Sequence, residues 1–250
     1  MKKNFLLVLT TAVVFSIGLP LFGAEPEKQL LGFWRFDEGT GDKLQDVSGN
    51  NRAAQISHKM RGVKWVDGRS GKAIEFMGGD PAKRNVAGCV EILKGGKFDF
   101  SKGLTLECWI NFTKIDRQQT YEIISNTHGD RGRGFRFILS WLKLGLMSGE
   151  GAKSKLRGAN SSPSVIKFKK AIWYHIVGTY DGKNFRVYID GKLVAETAGE
   201  HVLTTGRNSI SIGSFKQGYA YGLNAIVDDV KVYNYARSAV EIVSDAKLGE

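Results

Sequence analysis

The sequence predicts an all-β fold of two stacked antiparallel sheets, and three observations support this prediction. Short runs rich in β-branched and aromatic residues recur from residue 30 to residue 233, separated by Gly, Asn, Asp or Ser. Glycine is abundant, with 31 residues, and proline is scarce, with 4, which suits a chain with many tight turns. No helical period separates the runs, so the strands are expected to pair as antiparallel sheets rather than to alternate with helices.

The predicted elements form one unbroken series. The strands are predicted at 30–36, 53–57, 63–66, 72–77, 89–93, 104–112, 121–125, 135–141, 143–147, 172–180, 184–189, 192–196, 209–213 and 225–233. A single helix is predicted in SAVEIVSDAKLGE, because Ser238 and Glu241 have the spacing of an N-terminal capping box. Neither a linker nor a repeat divides the chain, so residues 25–250 are predicted to form one domain.

The clearest hairpins lie in TYDGKNFRVYIDGKLVAE, where Asp-Gly occurs at 181–182 and again at 190–191. Both central residues of a type I′ turn need a positive φ, which glycine tolerates. The segment therefore predicts three strands joined by two tight turns, with no reactive group among them.

The first 24 residues have the layout of a secretory signal peptide. Lys2 and Lys3 precede an apolar run that Pro20 interrupts, and Gly23 and Ala24 offer a cleavage site. The alternative is an uncleaved membrane anchor, because the run is long enough to span a bilayer. With cleavage, the domain is expected to be secreted, periplasmic or held at the cell envelope, with no stable membrane span.

The chain is strongly basic, with a formal net charge of +11. Basic residues gather in short segments at 58–64, 130–136, 153–157 and 167–170. For an exported protein, this charge favours acidic polysaccharides, anionic lipid or envelope polymers over nucleic acid. The alternative is that each segment is a solvated loop.

The two cysteines, Cys89 and Cys108, are predicted to stay unpaired, although export and an even count favour a disulfide. Cys108 shares the parity of Leu104 and Phe112 and is expected to face the core, whereas Cys89 takes the parity opposite to Val90. Thiols on opposite faces of a sheet do not pair without backbone rearrangement.

Five segments in sequence resemble the laminin-G-like, concanavalin A-like jelly-roll domains of bacterial exported proteins. They are LGFWRFDEGTGDKLQDVSGNNRAA (31–54), GKAIEFMG, LTLECWINF, WYHIVGTYDGKNFRVYIDGKLVAE (173–196) and AIVDDVKVYNYARSAVEI (225–242). Their order and spacing agree with that family over residues 30 to 249. The resemblance implies a jelly-roll sandwich, a fold that hosts lectins, adhesion modules, hydrolases and lyases, so it does not decide the function.

No catalytic residues are predicted. Glycosidases need two paired carboxylates, and glucanases that share this fold carry them as E-x-D-x-x-E on one strand. Neither this run nor the motifs of alginate-type lyases occur here, and Glu122 stands alone among apolar residues. His175 alternates with Trp173 and Val177 and is predicted to be a packed structural histidine.

A structural calcium ion is predicted at the closing strand. Asp228 shares the parity of Ile226 and Val230 in AIVDDVKVY, and a carboxylate on an apolar face needs a cation or several donors. The resemblance implies Asp46, Asn51 and Asp228 as ligands, which suits the oxygen chemistry of calcium, with Glu38 as a weaker candidate. The alternative is that Asp228 accepts backbone N–H bonds or pairs with an arginine.

Two loops supply the predicted ligand-binding residues. Arg131, Arg133 and Arg136 are suited to bidentate contact with sulfate or carboxylate. Tyr219 and Tyr221 share a parity in FKQGYAYGLN and could offer aromatic faces to a sugar, or could pack beneath a rim loop.

We therefore predict an exported, non-catalytic recognition module that binds carbohydrate, in particular an acidic or sulfated glycan. The alternative is a structural or protein–protein adhesion module whose partner is a surface protein. A glycoside hydrolase or polysaccharide lyase with an unrecognised site is the third hypothesis.

Overall fold

The computed structural model describes residues 28–57, 62–79, 87–93, 98–127, 133–150, 157–161, 167–200, 203, 209–215 and 220–248. Sixteen strands and one helix lie within these ranges. The strands are β1 (Leu30–Trp34), β2 (Lys43–Leu44), β3 (Ala54–Ile56), β4 (Val63–Asp67), β5 (Lys72–Met77), β6 (Val90–Ile92), β7 (Leu104–Phe112), β8 (Thr120–Ser125), β9 (Arg133–Ser140), β10 (Lys143–Glu150), β11 (Arg157–Asn160), β12 (Trp173–Tyr180), β13 (Asn184–Ile189), β14 (Lys192–Ala198), β15 (Ile210–Ile212) and β16 (Asn224–Tyr233). The helix is α1 (Ala239–Lys247).

The strands form two eight-stranded antiparallel sheets, which confirms the predicted jelly-roll sandwich. The first sheet has the order β14-β13-β12-β7-β16-β5-β4, with β1 paired to β16. The second sheet has the order β11-β10-β9-β8-β15-β6-β3-β2. The two strands that the sequence did not predict, β2 and β11, are short and lie at opposite edges of the second sheet.

Strict alternation in β7 separates the core from the outer face of the first sheet. Leu104, Leu106 and Phe112 belong to the hydrophobic core between the sheets. The residues between them, including Glu107 and Trp109, therefore lie on the outer face. The candidate functional site is built on this outer face.

The predicted alternation fails in β16, where the structure has a bulge. The register with β7 shifts between Asp228 and Lys231, and Asp229 adopts φ 49°. Val227 and Val230 both reach the core because the bulge inserts an extra residue between them. Asp228 is therefore directly opposite Trp109 on the outer face, and not among the core aliphatics as its parity had predicted.

Helix α1 packs on the same outer face. Ser238 and Glu241 form the predicted capping box, with both reciprocal hydrogen bonds present. Ile242 is fully buried in a small cluster with Val177 and Tyr188 of the sheet below. Among the described residues, none of the helical structure is both long and apolar enough to cross a membrane.

The two Asp-Gly turns differ. Asp190 and Gly191 have φ values of 48° and 74°, as the predicted type I′ turn requires. In the other connection only Gly182 has a positive φ, and the Asp181 carboxylate accepts the N–H groups of Lys183 and Asn184. That side chain stabilises a longer loop, so the prediction of a second two-residue turn was wrong.

Both cysteines are free, as predicted, but Cys89, which was expected to point outward, is fully buried, as is Cys108. Cys108 is in the core, whereas Cys89 contacts the Ser211 hydroxyl, with 3.1 Å between sulfur and oxygen. Burial raises the pKa of the Cys89 thiol to about 11 and also raises that of Cys108.

Candidate ligand-binding site

A surface pocket of about 560 Å³ lies between α1 and the outer face of the first sheet. Its lining comes from β7, β12, the β4–β5 turn, the β13–β14 turn and the last turns of α1. The lining residues are Arg69, Trp109, Trp173, Asp190, Val243, Ala246 and Lys247. The pocket thus combines two indoles, two cations and one carboxylate.

The two tryptophans share a face because of the strand register. Trp109 of β7 pairs with His175 of β12, and Trp173 is two residues before His175. The indoles therefore project from the same side of the sheet at diagonal positions, which is close enough for contact between large side chains. Both side chains are partly exposed at the pocket.

Arg69 lies above Trp109. Its guanidinium carbon is 3.5 Å from the centroid of the indole ring, the arrangement of a cation–π contact. The turn that carries Arg69 is held from below, since the backbone N–H of Arg69 donates to Oδ2 of Asp228 over 3.0 Å. A Cβ at Gly68 would lie 2.6 Å from that same oxygen, so glycine permits the close approach.

The turn at Asp190 closes the other side of the pocket. Asp190 Oδ1 accepts the backbone N–H of His175 over 2.8 Å, which fixes the carboxylate beside β12. Gly191 lies against α1, where an added Cβ would be 3.3 Å from the Cα of Val243. The same hairpin turn therefore supplies a polar group to the pocket and a contact to its helical wall.

Beneath α1, a buried charge cluster fixes the helix to the sheet. The buried Glu107 carboxylate accepts from Arg237 at 2.6 Å, Lys231 at 3.1 Å and His175 Nε2 at 3.1 Å. Arg237 and Lys231 also donate to Asp245 of the helix, at 2.6 and 2.8 Å. Burial tends to raise the pKa of Asp245, but these hydrogen bonds outweigh it and leave that pKa well below its usual range.

His175 is 1% exposed, as the prediction of a packed structural histidine requires. Its ring lies 5.0 Å from that of Trp109. It thereby packs beside the indole as its cross-strand neighbour.

On the opposite sheet, the structure brings together two of the predicted ligand-binding residues, Arg136 and Tyr221. The Arg136 guanidinium lies 5.4 Å from the Tyr221 ring centroid and 5.0 Å from that of Phe215. It also makes a bidentate ion pair with Glu122, with Nη2 2.5 Å from Oε2. Glu122 is fully buried, and burial raises its pKa while the hydrogen bonds from Arg136 oppose that rise.

Because Glu122 neutralises Arg136, this arginine is committed to the fold and offers little charge to a ligand. Tyr221, at 46% exposed, remains an accessible aromatic ring. Arg131 and Tyr219 lie outside the described residues, and Arg133 is described only through its backbone in β9. Of the predicted arginine and tyrosine site, the described residues therefore show the Arg136–Tyr221 part.

Two of the three predicted calcium ligands, Asp46 and Asp228, accept hydrogen bonds from backbone N–H groups. Asp46 accepts the N–H groups of Phe33, Ser48 and Arg52 at 2.9–3.0 Å. Glu38, the weaker candidate, accepts the N–H of Gln45 at Oε1 over 2.7 Å, and its buried Oε2 has no hydrogen-bond partner among the described residues.

Asp228 accepts the N–H groups of Arg69 and Asp229. These bonds fit the alternative interpretation of Asp228, in which backbone donors stabilise the carboxylate. Within the described ranges, no three His, Cys, Asp or Glu side chains form a group that could hold a metal ion. Calcium binding at Asp46, Asn51 and Asp228 therefore stays a prediction.

Sequence reasoning missed the pocket residues Trp109, Trp173 and Arg69. A signal for the tryptophans existed, because both have the outer-face parity of their strands and a large apolar side chain on a polar face is unusual. Nothing local marked Arg69, whose position depends on a turn reaching across β16.

More than half of the sequence matches a family model, Laminin_G_3, described as the Concanavalin A-like lectin/glucanases superfamily, over residues 87–243. The chain belongs to this superfamily. No curated protein matches the sequence significantly.

Solved structures share the fold of this superfamily member at low sequence identity. Domain 4 of AbnA, a GH43 extracellular arabinanase from Geobacillus stearothermophilus in complex with arabinotriose, is 16% identical with a TM-score of 0.66 over 88% of this chain and 100% of that chain. The binding domain of Botulinum Neurotoxin DC in complex with SialylT is 14% identical with a TM-score of 0.67, over 89% and 52%.

The binding domain of Paraclostridial Mosquitocidal Protein 1 is 17% identical with a TM-score of 0.65. The structural match covers 87% of this chain and 52% of that chain. This superfamily member thus spans about half the length of the toxin binding domains and the whole of the arabinanase domain.

Proposed function

We propose that the protein is a non-catalytic carbohydrate-recognition module that binds a glycan in the pocket beside α1. The observation that carries this proposal is the pair of indoles, Trp109 and Trp173, in a concave site with a few fixed polar groups. Aromatic rings bind the apolar faces of sugars, and convergent polar groups fix their orientation.

The solved structures of the same fold support a binding role. Two of them were determined with arabinotriose or SialylT bound, and two are described as binding domains. Another, the binding domain of Botulinum neurotoxin DC, was determined in complex with rat synaptotagmin II, which supports a protein partner as the alternative.

The two buried glutamates of the sheets favour recognition over catalysis. Glu122 and Glu107 are buried and paired with cations, so neither is available as a nucleophile or acid at an open groove. The signal peptide predicted in residues 1–24 supports this proposal, because an exported module would meet extracellular or envelope glycans.

The test is a glycan array of neutral and acidic oligosaccharides, followed by calorimetric titration of the purified protein with the best ligand. We expect Trp173→Ala to weaken that binding by about tenfold, because losing the contact between a sugar face and an indole costs about 1.4 kcal/mol. Trp141→Ala is the matched control, since Trp141 is 61% exposed on the β9–β10 turn and does not line the pocket.

Two results would contradict the proposal. Absence of binding to every glycan, with the protein folded by circular dichroism, would favour the adhesion module and its protein partner. An equal loss of glycan binding in Trp173→Ala and Trp141→Ala would show that the binding surface is not the pocket.

We separately propose that Asp46, Asn51 and Asp228 hold a calcium ion that acts only on stability. Its test is the melting temperature in calcium and in EDTA, for the protein and for Asp46→Asn. We expect a higher melting temperature in calcium that the variant loses, because an ion that binds only the folded state stabilises it. An equal melting temperature in calcium and in EDTA would contradict the calcium site. Backbone hydrogen bonds alone would then stabilise the carboxylates of Asp46 and Asp228.

A further inference from the structure

We infer that the pocket beside α1 selects an acidic sugar, and that Arg69 receives the sugar carboxylate while Trp173 contacts the ring. This inference rests on the proposed function and names the ligand class of the same site. It also places the recognition of charge at a turn of the first sheet, and not in the arginine segment 130–136.

Arg69 is a cation without a partner carboxylate among the described residues. Its side-chain contact is the indole of Trp109, and Asp229 attracts it only at longer range. Asp229 is itself near another cation, with its Oδ1 3.9 Å from Arg35 Nε. A guanidinium has five N–H donors, so most of the hydrogen-bonding capacity of Arg69 is open to a ligand.

The contact with Trp109 leaves the guanidinium ready for a carboxylate. The N–H groups of a planar guanidinium lie in its own plane. When the guanidinium stacks on an aromatic ring, these groups point sideways past the ring and stay free to bind a ligand. This fork matches the two oxygens of a carboxylate. The backbone of Arg69 is held by Asp228, so less conformational freedom is lost when a ligand binds.

The other charges of the pocket favour one anionic group. Lys247 is exposed at the pocket wall and adds a second cation. It offsets the partial negative charge of the C-terminal end of α1, which would otherwise repel an anion. Asp190 is the single carboxylate of the lining, and it can accept hydrogen bonds from sugar hydroxyls.

The ligand probes form a matched set that separates charge from sugar shape. A galacturonic acid trisaccharide carries the carboxylates, and its methyl-esterified form has the same sugars without the charge. A sulfated galactose trisaccharide carries anionic groups that are not planar. Binding to the purified full chain is measured by calorimetry and by tryptophan fluorescence at low salt and again at physiological salt.

We expect the trisaccharide acid to bind at least about tenfold more tightly than its ester, because hydrogen bonds to a charged group contribute more than neutral ones. Arg69→Gln should weaken binding of the acid by about ten- to hundredfold and leave binding of the ester nearly unchanged. Arg69→Lys should recover only part of the loss, since a lysine lacks the planar fork. Arg117→Gln is the control for net charge, because Arg117 is exposed and does not line the pocket.

The outcomes separate this inference from the function on which it rests. Equal binding of acid and ester, abolished by Trp173→Ala, would overturn the acidic preference and keep the carbohydrate module. Tighter binding of the sulfated probe than of the acid, lost in Arg69→Gln, would overturn the choice of carboxylate. Equal weakening by Arg69→Gln and Arg117→Gln would show a general charge effect and would overturn the role of Arg69.

Discussion

The Arg237 guanidinium donates from Nη1 to Oε2 of Glu107 over 2.6 Å, and this ion pair joins helix α1 to the outer face of the first sheet. Both side chains are largely removed from water, at 8% and 2% exposed. The same Nη1 donates to Asp245 inside the helix. The wall of the ligand pocket therefore depends on a buried cation that itself lies outside the pocket.

We expect Arg237→Met to destabilise the fold by about 3 kcal/mol, because removing one partner leaves buried carboxylates without their compensating charge. Lys231 and His175 still contact Glu107 in this variant, so the loss of unfolding free energy should be smaller than for a buried ion pair with no other partners. The measurement is urea unfolding followed by circular dichroism. Arg117→Met, at an exposed site, serves as the control. If Arg237→Met lowered stability no more than Arg117→Met does, the role of Arg237 would be contradicted.

The alternation of apolar residues predicts most of the fold because it is a local property of each strand. Leu104, Leu106 and Phe112 reach the core as predicted, since β7 is regular along its length. The same reasoning misplaced Asp228, because the bulge at Asp229 changes the parity and no single residue signals it. The pocket could not be predicted in full, because Arg69 meets Trp109 only through the order of strands in the sheet.

The buried position of Asp228 predicts an unusual pH dependence of stability. Burial, with the nearby charge of Asp229, raises the pKa of Asp228 to about 7. An acid with a raised folded-state pKa contributes stability that is fully present below its unfolded value, near 4, and is lost as the pH rises through 7. In EDTA, we therefore expect the free energy of unfolding to fall by about 1 kcal/mol per pH unit between pH 5 and pH 7.

Asp228→Asn should remove this slope, whatever its effect on stability at a single pH. Glu200→Gln is the control, because Glu200 is an exposed acid at the end of β14. The measurement is urea unfolding at half-unit steps of pH. If Asp228→Asn retains the slope of the unmodified protein, another group carries the pH dependence.

The ion pair between Arg136 and Glu122 predicts a structural role for an arginine that the sequence had assigned to a ligand. Glu122 has no exposed surface, so Arg136→Met would leave its carboxylate buried without a cation. We expect a loss of about 3 kcal/mol in the free energy of unfolding, partly relieved at low pH where Glu122 becomes protonated. Unchanged stability together with weaker glycan binding would restore Arg136 to the ligand site.

The two thiols give the last prediction, which concerns their reactivity. Burial keeps Cys89 and Cys108 away from solvent and raises the pKa of both, so neither forms a reactive thiolate near neutral pH. With Ellman's reagent at pH 8, we expect no rapid reaction of the folded protein and two thiols per chain in denaturant. Because Cys108 faces the core from the first sheet and Cys89 contacts Ser211 of the second sheet, oxidation in the folded state should not join them. If the unreduced protein shows no titratable thiols in denaturant, this expectation is contradicted. An intact mass about 2 Da below that of the reduced protein, about 1 Da for each hydrogen lost, would then identify the disulfide.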